Sequence, residues 1–597
     1  MSASVEDRRK RAYEEAMTLT DAMLLECFAG GENQIETIVD IEKVIISGPD
    51  IVLRVADRPK FVGDDFYQGR VIFPEIKRTM GELNVPTLQF SEAEIRLGNL
   101  DGFYNNYLIG GADYVSFIGS TITVKVGLRD VASSFKTIFD GIVPEEGGFE
   151  IERESIILRA RDSFTDLNKL VPLPTINKTD FPDAPEESVG KIIPMVLGDW
   201  EEGYNYTVGA GSVSVDDGVE GTVPVFTDVQ ENFSGGIIGY NVGLGYFVFS
   251  IGTYTPDNIG VCHIKRGDTL IQCNFDTVPS QAAGYWVVLV NSFNKVAGGT
   301  LPYVPLTGDI ATLGVMVPYD TALYSNPISI AREILYTLGD LTSGDLDTSS
   351  WGTLETKSTP AQSSMVDIKA RIWIGKPEDT VLGSVLSLLE QVRVELFVDD
   401  SQKIKLSSLH FEDWPDPSDQ KRVEQFHINE QSVKIKADER NYFNAALGSY
   451  AFTPVTNKTQ LQTGQYYNSN SLIKTGKYVS KAIDFPNLHI KADVILQLKE
   501  FIRLYSAGLE YIDAQVAWTH LLVDLSDFLS FNFNIGSLVF DNKPVMVRDI
   551  GFDPNTSSMN FRLLSLSNFA YANYQPSNKD QFLSSYDETI FAYNPFE

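Results

Sequence analysis

With 597 residues the chain is too long for one hydrophobic core, so three to five domains of roughly 100 to 200 residues are expected. An apolar fraction of 43%, with 46 Gly, 27 Pro, 35 Phe and 26 Tyr, favours folded β-rich modules over disorder. Lys and Arg number 48 against 80 Asp and Glu, and the resulting formal charge of -32 repels phosphate and argues against wrapping nucleic acid.

Solubility is the plainer account of that acid excess; a surface past which DNA slides without sticking is the alternative. Cys27, Cys262 and Cys273 are too few for a disulfide framework or a four-thiolate metal site, which fits a reducing compartment. Cys262 and Cys273 flank the turn Ile264–Leu270 and either face each other across a hairpin or, as expected more often, lie as buried free thiols. Arg8, Arg9, Lys10 and Arg11 are followed by no apolar run, so no secretion signal is expected. No stretch approaches the roughly 18 apolar residues of an integral membrane segment.

Residues 1–34 are predicted to hold an N-terminal helix, because Ala12, Ala16, Leu19, Met23 and Cys27 recur at helical spacing before Gly30 and Gly31. Its apolar stripe suits core packing or docking equally. Across 35–175, apolar and polar positions alternate in Ile51–Asp57, Gly69–Phe73, Ala93–Leu97 and Thr121–Leu128, which predicts a sandwich or barrel of short strands. A Pro-rich linker or arm follows at Leu170–Pro185.

Residues 190–320 are Gly-rich and aromatic, with strands predicted at Gly245–Gly252, Tyr285–Val290 and Thr312–Val317, and read as a peripheral all-β domain. Residues 321–430 bring helices and a hairpin. Pro327 suits a first helical turn and Gly339 a stop. Val381, Leu382, Val385, Leu388, Leu389 and Val392 fall on one helix face before a hairpin over Val394–Leu409 whose turn holds Asp399 and Asp400. Residues 431–570 return to strands, crossed by a long amphipathic helix at 487–508, and 571–597 read as an extended arm. The predicted fold class is mainly β with a few helices, a multi-domain β plus α/β chain.

The sequence lacks HExxH, GxSxG, GxxxxGK[ST] and CxxC, and His263, His410, His427, His489 and His520 show no zinc-binding helical spacing. No enzyme activity, metal or cofactor is expected. The adjacent pairs Asp64/Asp65, Asp216/Asp217 and Asp399/Asp400 do not suit glycoside hydrolysis, because neighbours on a strand point to opposite faces. Asp345 and Asp347 read as a capped loop in preference to a calcium loop, which would need the Gly and distal Glu of an EF-hand. Trp200, Tyr204, Tyr206 and Trp286 are the candidate glycan-binding residues, as a stacking platform, although core packing is the more frequent role of such aromatics.

The stretches Val52–Arg78 and Val85–Leu108, closed by Phe139–Val143 and Ile156–Lys169, resemble the opening domain of siphophage tail-tip hub proteins, a baseplate-hub family with relatives in contractile tails. Ile192–Trp200, Ile328–Trp351, Leu382–Leu406 and the final helix-plus-strands unit fit the same layout, so the resemblance spans most of 40–570. It implies a virion protein of a bacteriophage tail tip, made in the host bacterial cytoplasm. Two tail-tube-like β-barrel domains per chain, at 35–175 and 431–570, would form a homotrimer whose pseudo-sixfold ring caps the hexameric tail tube. The implied partners are the distal tail protein ring, the C-terminus of the tape-measure protein, and a tail fibre or receptor-binding protein. DNA would pass through without specific binding during genome ejection, and any acidic share of the lumen would ease its passage. The peptidase or lysozyme domain and the four-cysteine cluster of some relatives are not visible, and a separate fibre protein is expected. A receptor- or glycan-binding tail protein acting in host attachment through 190–320 is the alternative.

Overall fold

The computed structural model describes residues 35–43, most of 51–179, the strands between 189 and 317, and most of 326–566; statements of presence or absence below concern those residues. The fold is mainly β with a few helices. The segments predicted as an N-terminal helix (1–34) and a C-terminal arm (571–597), and much of the predicted linker, lie outside the described residues.

The first block lays down β1 (Ile35–Lys43), β2 (Ile51–Ala56), β3 (Lys60–Val62), β4 (Asp65–Gly69), β5 (Val71–Thr79), β6 (Glu92–Gly98), β7 (Thr121–Leu128), β8 (Lys136–Ile142), β9 (Phe149–Ile151) and β10 (Ser155–Arg161). Period-two alternation sorts their side chains. In β6, Ala93, Ile95 and Leu97 are buried while Glu92, Glu94 and Arg96 take the other face. In β7, Ile122, Val124 and Val126 are wholly buried.

The next block holds β11 (Met195–Asp199), β12 (Tyr206–Gly209), β13 (Ser212–Val215), β14 (Ile237–Asn241), β15 (Tyr246–Gly252), β16 (Asn258–Arg266), β17 (Thr269–Ala282), β18 (Tyr285–Phe293) and β19 (Ile310–Val317). Cys262 and Cys273 are direct register partners on β16 and β17, opposite each other across the hairpin.

Helices follow. α1 (Pro327–Thr337) begins on Asn326, whose side chain accepts from the Ile328 and Ser329 amides at 2.8 and 3.3 Å, with Pro327 in the first turn. Gly339 N donates to Ile334 O at 3.2 Å and ends it. α2 (Thr348–Glu355), β20 (Arg371–Ile374) and α3 (Val381–Gln391) come next. All six apolar positions of the predicted α3 stripe, Val381 through Val392, are buried. The hairpin after it is β21 (Val394–Val398) and β22 (Ile404–Ser408). β20 closes an eight-stranded sheet of order β14-β15-β18-β17-β16-β19-β11-β20, so the 190–320 block joins the rest of the chain through β11.

The last block comprises β23 (Lys421–Val423), β24 (Lys434–Ala437), β25 (Ala445–Thr453), β26 (Lys458–Tyr467), α4 (Ser469–Thr475), β27 (Ser480–Phe485), α5 (Lys491–Ser506), β28 (Leu509–Ala517), β29 (Phe528–Ile535), β30 (Leu538–Asp553) and β31 (Ser558–Leu566). The helix predicted over 487–508 starts only at Lys491. Asn487 O accepts from Arg371 N at 2.9 Å and Leu488 bridges Ala370, so this stretch is spent on β20 before the helix begins.

A 16-stranded sheet unites the first and last blocks. Its path runs β24-β28-β31-β30-β5-β6-β10-β8-β7-β1-β2-β4-β3, and the joint between the blocks is the antiparallel β5–β30 pair, with Thr79, Arg78, Lys77 and Ile76 opposite Asp549, Ile550, Gly551 and Phe552. One core lies under both blocks, where Ile95, Val124, Phe139 and Leu158 join Phe531, Val547, Phe561 and Leu563. A second core packs α1, α3 and α5 around Trp351, Phe443 and Phe485. Each such side chain contributes about 1.5 to 3 kcal/mol by leaving water.

Two buried ion pairs bolt the joint. Arg548 is the extra residue of a bulge where the β30–β31 register shifts between Val547 and Asp549. Its carbonyl accepts from Met80 N at 2.9 Å, and its wholly buried guanidinium donates from both terminal nitrogens to the Glu395 carboxylate on β21, with Nη2 to Oε1 at 2.9 Å. Arg78 on β5 donates to Asp524 Oδ1 at 2.6 Å and to Val398 O at 3.3 Å. Removing Glu395 leaves the Arg548 charge buried without its carboxylate. Glu395→Ala is therefore expected to lower stability by about 3 to 5 kcal/mol in denaturant unfolding, whereas Glu395→Leu combined with Arg548→Met restores most of the loss.

Candidate functional site

The outer face of the long sheet is an organised polar surface whose pattern follows from strand period and register. One row of register partners reads Lys434, Asp513, Arg562, Asp549 across β24, β28, β31 and β30. A neighbouring row reads Lys77, Glu92, Arg161 across β5, β6 and β10. Signs alternate at every step. The third row, Glu75, Glu94, Arg159, sets two acids side by side, and Arg159 answers with 3.0 Å contacts to both Glu94 and Glu150.

Cross-strand contacts realise the pattern. Arg562 reaches Asp513 and Asp549 at 3.6 Å each, Lys436 reaches Asp513 at 3.3 Å, Arg161 reaches Glu92 at 3.3 Å, and Arg96 reaches Glu152 at 3.3 Å. Exposed pairs of this kind are worth only about 0.2 to 1 kcal/mol each, so their effect lies in fixing register and cancelling charge. The acid excess of the whole chain does not gather on this face. The hydrogen bonds that Arg159 donates to Glu150 and Glu94 hold it more firmly protonated than a free guanidinium.

Towards the β24 end the face sinks into an open groove of about 770 Å³. Lys77, Lys434, Lys436, Asp513, Asp549 and Arg562 line it, and Gly551 and Asn560 lie on its floor strands. No group of three or more His, Cys, Asp or Glu side chains among the described residues is placed to hold a metal ion. No described helix is long and apolar enough to cross a membrane.

Of the aromatic residues proposed from sequence for glycan stacking, Trp200 and Tyr204 lie outside the described residues. Tyr206 sits on β12 opposite Val215, and Trp286 on β18 opposite Gly252 and Gln281. β12 and β18 belong to different sheets. The Asp345 carboxylate accepts from the Thr342 amide and hydroxyl at 2.7 Å each, and Asp347 caps α2 through the Ser349 and Ser350 amides at 3.3 Å. The charged rows were not singled out from sequence. Alternation in Glu92–Gly98 carries half the signal, but which strand answers it is a long-range property.

No family model matches the chain, and no curated protein matches it. Among solved structures, the 43 kDa tail protein of prophage MuSo2 from Shewanella oneidensis aligns at 10% identity over 89% of this chain and 98% of its own, with a TM-score of 0.36. A tail protein from Neisseria meningitidis MC58 aligns at 8% identity over 89% and 97%, with a TM-score of 0.37. The prophage tail protein gp18 from Listeria monocytogenes EGD-e aligns at 8% identity over 92% and 99%, with a TM-score of 0.35. Likeness of this size carries no argument about fold or function.

At the end of β10, next to the charged face, Asp162 is almost wholly buried and accepts from Ser91 N at 2.6 Å. The Gln402 amide nitrogen lies 3.3 Å from its Oδ1 and 2.8 Å from Asp140 O. Burial pushes the Asp162 carboxyl up to about 6, against the pull of the Ser91 hydrogen bonds. A raised carboxyl favours the fold while protonated, so its contribution is complete below the ordinary carboxylate range and is lost as pH rises through about 6. The loss amounts to about 3 kcal/mol for a shift of this size. Unfolding free energies measured from pH 4 to pH 7 are expected to show this decline, and Asp162→Asn, which keeps an oxygen for Ser91, is expected to flatten it.

Proposed function

We propose that the chain is a structural hub of a phage tail tip or baseplate, three copies of which close into a ring that caps the hexameric tail tube. The observation that carries the reading is the β5–β30 joint. It sets two strand blocks of one chain side by side in a single sheet with one continuous charged face, so that three chains supply six blocks. The resemblance of Val52–Arg78, Val85–Leu108 and the later stretches to tail-tip hubs supports the same assignment. A closed ring also covers sheet edges that a lone chain leaves open.

In this reading the protein belongs to the virion and works without catalysis. Its ring meets the distal tail protein ring on one side and a tail fibre or receptor-binding protein on the other, with the C-terminus of the tape measure held inside until ejection. DNA passes a wall most of whose cations face carboxylates across the strands, which leaves few charges to exchange for phosphate counterions.

Sedimentation equilibrium of the purified chain is expected to give three times the 66.3 kDa chain mass, and electron micrographs a threefold ring of six similar lobes. A single-chain mass at every concentration, with no ring in the images, overturns the reading.

A further inference from the structure

The two ends of the long sheet differ in chemistry, and the difference is complementary. At one end stands the β3–β4 hairpin. Its strands carry Phe61, 71% exposed, and Phe66, 49% exposed, with ring centroids 5.0 Å apart. Its turn is Gly63 and Asp64, with Gly63 at φ +61° and open space where a Cβ would stand. Asp64 is exposed, and Asp65 beside it is partly answered by Arg54 at 3.3 Å. Single exposed apolar residues are ordinary, but two rings packed against each other at a tilt of 51° and held out in water on a short hairpin mark a contact site.

At the other end lies the groove beside β24. Lys77 and Lys434 stand exposed on its walls and make no ion pair among the described residues, whereas Lys436 and Arg562 are already matched by Asp513 and Asp549. Glu75 lines the same groove, exposed and likewise in no ion pair among the described residues, so the groove offers an excess of one unmatched cation on an open concave surface, and the hairpin offers an unmatched carboxylate on a narrow aromatic projection.

We propose that the Phe61/Phe66 hairpin of one copy seats in the Lys77/Lys434 groove of a second copy, with Asp64 set against the groove lysines. The inference rests on the ring reading above and names its contact. Hairpin and groove are different surfaces of one chain, so their union is head to tail, the kind of contact that generates a closed ring when the rotation per copy is right. The short, lysine-bearing edge strand β24 discourages indiscriminate strand pairing, which leaves the groove and its charge to select the partner. An acidic tip also disfavours the anionic surface of a membrane as the occupant.

The test uses the full chain with the photo-crosslinker p-benzoylphenylalanine at position 61, mixed from isotopically light and heavy preparations. Crosslinks from position 61 to 431–436, 513–515 or 560–562, in mixed-isotope pairs, are the expected result. Phe61→Asp with Phe66→Asp is expected to raise the concentration for half-assembly at least tenfold with thermal unfolding of the subunit unchanged. Lys434→Glu is expected to weaken assembly severalfold and Asp64→Lys to recover part of that loss. A ring that still forms, with crosslinks landing elsewhere or with assembly indifferent to the Phe61/Phe66 double substitution, overturns the contact and leaves the ring reading standing. Capture of position 61 by anionic vesicles in place of a second copy also overturns it. A chain that stays single throughout overturns both.

Discussion

The joint between β5 and β30 is a short ladder with long consequences. It brings together residues such as Thr79 and Asp549, whose side chains hydrogen-bond although they stand 470 positions apart in the chain. Closing so long a loop costs only logarithmically more than closing a short one, but the cost comes before any local contact rewards it. Few backbone bonds repay it alone. The rest of the return comes from apolar side chains of both blocks sharing one core and from the Arg548–Glu395 and Arg78–Asp524 pairs beside the ladder. The bulge at Arg548 matters here because an unbulged β30 would turn this residue to the other face, away from Glu395.

The third party to the joint is the hairpin β21–β22. Glu395 receives Arg548 of β30, and the Val398 carbonyl receives Arg78 of β5, so one short hairpin holds both strands of the joint. That hairpin is itself fixed by the helical layer: the Trp351 indole donates to Ile404 O at 3.0 Å, and α3 buries its stripe in the core that contains Leu396 and Leu406. Rigidity is passed from helices to hairpin to sheet. The outer charged face can keep its register because the inner one is clamped.

Much of this was legible in the sequence where the signal is local. Alternation in Ala93–Leu97 and Thr121–Leu128 marked strands, Val381 to Val392 marked a helix face, and Pro327 and Gly339 marked the limits of another. Legibility failed where a residue's partner is remote. Asn487 and Leu488 look helical in isolation but are taken by β20, and nothing near Arg548 announces either its bulge or Glu395. The candidate surface divides in the same way. The charges of each strand are plain in sequence, but that Lys77 falls opposite Glu92, and Arg562 between Asp513 and Asp549, is decided by register alone.

The electrostatics of the face changes what the net charge of -32 means. Spread evenly, such an excess would give a uniformly repulsive wall. Instead, strand pairing has matched acids and bases row by row on the long sheet, and each matched pair is locally neutral beyond a Debye length of about 8 Å. A wall of this kind neither binds a polyanion through counterion release nor repels it at range, and its cost to a passing chain is small in both directions. It also keeps its order at the salt of a cell, since the pairs are held by backbone register and do not depend on their own weak attraction. The matching stops at Lys434 on the edge strand β24, at Glu75 and Lys77 on β5 where the groove reaches inward, and at Asp64 on the hairpin at the far end of the sheet. In the proposed ring, the matched rows would form the surface that a polyanion passes, and the unmatched charges of groove and hairpin would be left for contacts between copies.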